Sequence, residues 1–191
     1  MGFSTKAVHA GVEPDPSFGS IMTPVHLTST YVQEELGKNK GYEYSRVSNP
    51  TRTALEKNIA ALEGGNEGLA FGSGMAAISA VFHLLQAGDH AIVSRNVYGG
   101  TYRLGKLILN GYNLDFDFVD TTDIDKVEKA VKPSTRMVFI ETPTNPTMEI
   151  TDLAAVAKLC KSRKLISVVD NTFATPYLQT PLDSGIDIVM H

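Results

Sequence analysis

From Asn49 onward the chain alternates short apolar runs with segments of helical period, and that alternation restricts the fold more than any other feature. Residues 69–71, 91–93, 114–119, 137–140, 165–169 and 186–190 read as strands. Residues 75–86, 100–110, 124–131 and 153–161 carry apolar side chains at helical spacing. The strands are apolar on both faces, so both faces of their sheet need covering. The pattern predicts an α/β fold, a mostly parallel sheet flanked by helices.

The start of the chain has a different texture. Residues 2–49 are rich in Gly, Pro, Ser and Thr, with breakers such as Glu13-Pro14-Asp15-Pro16. Residues 1–48 therefore read as an extended arm that must lie on its own domain or on a neighbouring subunit. Asn49-Pro50 then opens a helix, with Asn as cap and Pro at the first helical position. Leu55, Ile59 and Leu62 recur at helical spacing until Gly64-Gly65 stops the run. Residues 49–191 are expected to form one domain.

Composition removes several functions. A formal net charge of −4 over 191 residues lacks the basic excess of a nucleic-acid binder. No run approaches the ~18 apolar residues of a membrane span, and the start has no signal-type apolar core. The expectation is a cytoplasmic protein. Cys160, the one cysteine, reads as a buried helix residue, unable to form an internal disulfide. His9, His26, His83, His90 and His191 lack ligand spacing, so no metal is expected, and His83 reads as a mid-helix residue packed in the core or at its boundary.

Open α/β sheets bind ligands at the carboxyl ends of their strands, and there the informative residues gather. Gly72-Ser73-Gly74-Met75 joins an apolar run to a helix, where unsatisfied N–H groups suit a phosphate. It is neither a Walker A loop nor a GxGxxG fingerprint, and alone it is equally a plain turn that glycine lets bend sharply. Asp170 ends an apolar run, either as a cap for the next turn or as the counter-ion of a protonated ring nitrogen. Tyr98 precedes Gly99-Gly100, which suggests a close approach, and its ring either stacks on a ligand or rests on the surface. Thr142-Pro143-Thr144-Asn145-Pro146 is a stiff loop or a site that fixes the Asn145 amide. In the arm, Tyr44 and Arg46 either clamp an anion or are solvated.

Together these segments resemble one family. Gly41-Tyr42-Glu43-Tyr44-Ser45-Arg46, Ser48-Asn49-Pro50-Thr51-Arg52, Ala61-Leu62-Glu63-Gly64, Phe71-Gly72-Ser73-Gly74-Met75-Ala76, Val97-Tyr98-Gly99-Gly100-Thr101, Ile140-Glu141-Thr142-Pro143-Thr144-Asn145-Pro146 and Val169-Asp170-Asn171-Thr172-Phe173 occur in order along essentially the whole chain. They are similar to the Cys/Met metabolism enzymes that use pyridoxal 5'-phosphate (PLP), namely cystathionine γ-synthase, cystathionine γ-lyase and methionine γ-lyase. The resemblance implies a fold-type I PLP-dependent transferase and a homotetramer built as a dimer of dimers with shared active sites. It implies that Gly74 and Met75, with Ser73, hold the PLP phosphate, that Tyr98 stacks on the ring and that Asp170 pairs with its nitrogen. Tyr98 and Asp170 are thereby the expected catalytic residues. Asn145 is implied near the ring 3-oxygen and the substrate carboxylate, with Thr172 close by. Tyr44 and Arg46 are implied to reach the phosphate of a neighbouring subunit's cofactor.

The resemblance further implies γ-elimination or γ-replacement on a sulfur amino acid or homoserine ester. The alternatives are methionine γ-lyase or cystathionine β-lyase activity, and the Asn145 loop and the arm resemble the γ-branch more than the β-lyases. The family's Schiff-base lysine is expected just beyond His191. Lys57, Lys106, Lys126 and Lys158 lack its context and read as solvated, so residues 49–191 are expected to be the N-terminal part of the PLP-binding large domain, truncated before that lysine and inactive alone. Two other readings compete. A nucleotide-binding domain lacks the acidic residue about 20 positions past the glycine loop, and a non-catalytic fragment that keeps the fold predicts a protein without bound PLP.

Overall fold

The computed structural model describes residues 1–191, which divide into two compact units, Met1–Ala70 and Phe71–His191. In the first unit, helix α1 (Phe3–His9) and helix α2 (Pro50–Glu63) pack together. The Asn58 amide donates to the carbonyls of Lys6, Ala7 and Ala10, at 3.2, 3.3 and 2.9 Å, and so ties the end of α1 to the middle of α2. Gly11 lies where a Cβ would sit 2.5 Å from the Ala54 carbonyl oxygen, with φ at +75°. Only a glycine passes there. α2 starts as the sequence predicts: the Asn49 side chain accepts from the Thr51 N–H at 2.9 Å, Pro50 holds the first position, and Gly64 closes the helix in the left-handed region. By these contacts α2, which sequence reasoning grouped with residues 49–191, clusters with the first unit.

The second unit contains a five-stranded, wholly parallel sheet in the order β2-β1-β3-β4-β5. Its strands are β1 (His90–Ser94), β2 (Asp115–Val119), β3 (Thr135–Glu141), β4 (Ile166–Asp170) and β5 (Ile188–Met190). Helix α3 (Gly74–Phe82) precedes β1, and helices α4 (Gly99–Arg103), α5 (Ile124–Lys129), α6 (Leu153–Arg163) and α7 (Thr175–Leu178) lie between the successive strands. Alternation along β3 builds two cores. Met137 and Phe139 join Phe82 and Phe116 on one side, while Val138 and Ile140 join Val156 and Val169 on the other. Doubly buried strands are what a parallel sheet between helix layers requires. Cys160 is buried in the second core, and burial pushes its thiol up to about 12.

Four local expectations need correction. Residues 69–71 form no strand: Leu69 and Phe71 are exposed, and the Ala70 N–H is held by the Glu56 carboxylate instead of a sheet partner. The expected helix over 100–110 is α4 followed by a π-helical stretch, Leu104–Ile108, and a 3-10 turn, Leu109–Tyr112. His83 is not packed; it is the exposed C-cap of α3, with Nδ1 2.6 Å from the Ser79 carbonyl. The irregular arm contains α1, a helix with no buried residue and hence no apolar signature to read.

Candidate functional site

Parallel strands bring their carboxyl ends to one rim, and three of them bring chemistry. β3 ends in Glu141 and β4 in Asp170, which pair in register, and β5 ends in Met190. A cavity of about 500 Å³ opens there, lined wholly by the second unit. That volume falls in the range of small-ligand pockets.

One wall is the start of α3. The Ser73 hydroxyl caps the helix by accepting from the Ala76 N–H at 3.1 Å. Its O–H remains to donate, and the N–H groups of Gly74 and Met75, the first two of the helix, have no intrahelical acceptor. Three donors therefore sit beside the cavity, at the positive end of a helix, as an anion requires. The chain bends at Gly72 and Ser73 as it enters α3, with neither Gly72 nor Gly74 at a positive φ. A Cβ at Gly72 would meet nothing within 4 Å, and at Gly74 only the His191 carbonyl oxygen at 3.9 Å. The rim there is open.

A second wall is Tyr98, at the N-cap of α4 with its ring half-exposed. A Cβ on Gly100 would lie 2.5 Å from the Tyr98 Cε1 atom and 2.6 Å from the Met75 sulfur. The close approach suggested by the glycine pair is thus that of the Tyr98 ring and Met75 to the α4 backbone.

The floor is anionic. Asp170 is 6% exposed, and its Oδ1 accepts from the Thr172 N–H at 3.0 Å. One of its oxygens thus caps the next turn, while the residue also lines the cavity. Glu141, absent from the residues singled out by sequence, is 5% exposed. Its two oxygens accept from the Tyr98 N–H at 2.6 Å and the Asn145 N–H at 2.8 Å. Burial pushes its carboxyl up; the two N–H groups pull it down, and the charge of Asp170 pushes it up again. Asn145 and Thr172, both exposed, complete the lining with Phe173.

The cavity thus combines two buried carboxylates, a half-exposed aromatic face and a helix start. Like charges face each other at Glu141 and Asp170, and a cation between the walls would relieve them. These residues fit PLP, a flat ring with a protonatable nitrogen and a phosphate. Tyr44 and Arg46 belong to the first unit, where the Arg46 guanidinium lies 4.9 Å from the centre of the Tyr44 ring. Lys57, Lys106, Lys126 and Lys158 are exposed.

At the opposite end of the sheet, His90, Asp115 and Asp117 converge, with ligand atoms within 4.8 Å of one another. The Lys132 ammonium already bridges the two carboxylates, at 2.8 and 2.7 Å. Burial, then the Lys132 charge, lowers the His90 pKa. The positive charge this cluster needs comes from the chain.

Known proteins match nearly the whole chain. The family described as "Cys/Met metabolism PLP-dependent enzyme" matches residues 4–191. A cystathionine beta-lyase of Coxiella burnetii is 50% identical over 98% of the chain and 49% of its own length. A cystathionine gamma-lyase of Bacillus subtilis is 49% identical over 100% of the chain and 50% of its own length. The crystal structure of cystathionine gamma-lyase from Lactobacillus plantarum complexed with L-serine superposes with a TM-score of 0.96 at 50% identity, over 99% of this chain and 49% of that one. The chain spans about half the length of these relatives. No helix of the chain is long and apolar enough to cross a membrane. The chain belongs to the Cys/Met metabolism PLP-dependent enzyme family.

Proposed function

We propose that this chain supplies the cofactor-holding half of a PLP-dependent enzyme acting by γ-elimination or γ-replacement on a sulfur amino acid or homoserine ester, of the cystathionine γ-lyase/γ-synthase type. One observation carries the reading: Asp170, Tyr98 and the capped start of α3 line a single cavity. When bound, PLP supplies an electron sink for the charge left at the substrate α-carbon. Asp170 holds a proton on the ring nitrogen from a site shielded from water, where its charge acts strongly. Tyr98 lays its ring on one face of the cofactor and excludes water there. The N–H groups of Gly74 and Met75 and the Ser73 hydroxyl bind the phosphate. Asn145 orients the ring 3-oxygen and the substrate carboxylate, with Thr172 beside it. Cystathionine β-lyase activity is a second reading, favoured by the identity to the Coxiella burnetii protein.

The proposal includes a homotetramer, a dimer of dimers in which Tyr44 and Arg46 reach the phosphate site of a neighbouring subunit, working in the cytoplasm. Residues 1–48 form the extended arm that makes this contact. Phe18, Leu27, Val32 and Leu36 of the arm are all more than 85% exposed. An apolar surface of that kind calls for a covering partner. The test is Asp170→Asn in the full-length protein, with PLP titrated into the apo form and cystathionine turnover measured. The reading expects both to fall by tenfold or more, as for loss of about 1.4 kcal/mol or more of charge pairing. Binding and turnover within about twofold of wild type would overturn it.

A further inference from the structure

Glu141 ends β3 two strands away from the strand that carries Tyr98's loop only in sequence; in space β1 and β3 are neighbours. The Tyr98 loop follows β1 and the Asn145 loop follows β3. These are separate segments, and each contributes a wall of the cavity. A single buried carboxylate joins them, Oε2 taking the Tyr98 N–H and Oε1 the Asn145 N–H. The Glu141 backbone is itself anchored, because its N–H donates to the Ser94 Oγ at 3.2 Å. Ser94 Oγ in turn meets Thr121 Oγ1 at 2.9 Å.

From this geometry we infer that Glu141 is a positioning residue, which locks the Tyr98 and Asn145 backbones into one rigid wall so that the ring-stacking and substrate-orienting groups are set together. The inference rests on the proposed PLP site and deepens it. Glutamate suits the task for two reasons. Only a carboxylate offers two acceptor oxygens with no donor to repel either N–H. Bonds from N–H to a charged oxygen are also about twice as strong as neutral ones. The cost is a buried charge facing Asp170, which raises the Glu141 pKa after burial itself. A cationic ring held in the cavity would offset that cost, so holding the wall and favouring the cofactor are coupled.

Glu141→Gln keeps the shape but turns an NH₂ group toward one of the two N–H donors. In the full-length apo protein titrated with PLP, the variant should bind roughly tenfold or more weakly, as loss of a charge-assisted hydrogen bond implies. The circular dichroism of the bound-cofactor band should also change, because the ring's orientation against Tyr98 is no longer fixed. Glu141→Asp, whose shorter arm retains one loop, should recover part of the affinity. If wild type fails to bind PLP, the function proposed above fails. If wild type binds and Glu141→Gln binds equally with an unchanged dichroic band, the positioning role alone fails. A measurement on the wild type covers a variant that does not fold. The amide NMR signals of Tyr98 and Asn145 should move together with pH, sharing one midpoint above the ordinary glutamate value; Tyr98, Asp170 and His191 are the other titratable side chains lining the cavity. Independent midpoints, or no movement, would overturn the inference.

Discussion

Replacing Gly100 with alanine separates the site from the fold that carries it. The added Cβ would lie 2.5 Å from Tyr98 Cε1 and 2.6 Å from Met75 Sδ, against an ordinary carbon contact of about 3.5–4.0 Å. Roughly 1 Å of movement is needed, and the two neighbours differ in how they can give. Tyr98 is 46% exposed and swings into the open cavity, whereas Met75 packs against the first core. Overpacking costs about 1–3 kcal/mol, while alanine in place of glycine in a helix returns about 1 kcal/mol. The net loss of stability is therefore about 0–2 kcal/mol, a fall in Tm of no more than about 8 °C for a unit of this size. The displaced ring forfeits its stacking on the cofactor, worth about 0.5–1.5 kcal/mol, so PLP should bind about 2- to 12-fold more weakly. The assay is an absorbance titration of apo protein with PLP beside thermal unfolding. Gly111→Ala, where a Cβ meets nothing within 4 Å, serves as the control. Unchanged affinity in Gly100→Ala, with the cofactor's dichroism also unchanged, would refute the placement of Tyr98 against the ring.

Other predictions test the frame around the site. Phe82 is fully buried, with ring centres 5.3 Å from Phe116 and 5.2 Å from Phe139. Phe82→Ala should destabilise the protein by about 3–5 kcal/mol in urea unfolding, and a loss under about 1 kcal/mol would contradict the packing described. The Lys126 ammonium, then the Thr122 hydroxyl, lowers the Asp120 carboxyl from 3.8 to about 2. Because the folded value is the lower one, the stability this group contributes is present above its ordinary pKa and lost as pH falls through about 2. Carboxyl NMR should give that midpoint in wild type and a return toward the ordinary value in Lys126→Met; a wild-type midpoint near 3.8 would refute the pairing.

Where local chemistry decides structure, the sequence was legible. Residues 137–140 are apolar without interruption, and β3 is buried on both sides as that requires. Asn49-Pro50 and Gly64 mark α2 to the residue because capping is a matter of neighbouring atoms. Features set by distant partners were not. The apolar run 69–71 looks like a strand, yet a strand needs a neighbour, and here a Glu56 carboxylate takes the N–H instead. His90 meets Asp117 and Lys132 only because β1 lies between β2 and β3, an order that spacing does not encode. The missed site residue is the most instructive. Glu141 and Asp170 share one signal, an acidic residue closing an apolar run. The resemblance gives Asp170 a role in holding a cofactor, while Glu141 takes the backbone N–H groups of Tyr98 and Asn145, contacts that no motif displays. Membership of the family was readable because its segments recur in order along the chain, which is 49–50% identical to both a β-lyase and a γ-lyase.

The central claim is that one rim of this sheet holds a phosphorylated, cationic ring. A crystal structure of the full-length protein with PLP bound tests it most directly. The account predicts the phosphate at the N–H groups of Gly74 and Met75, the ring against Tyr98, and a carboxylate oxygen of Asp170 within hydrogen-bond distance of the ring nitrogen. A phosphate bound elsewhere, or Asp170 turned away from the ring, would contradict it.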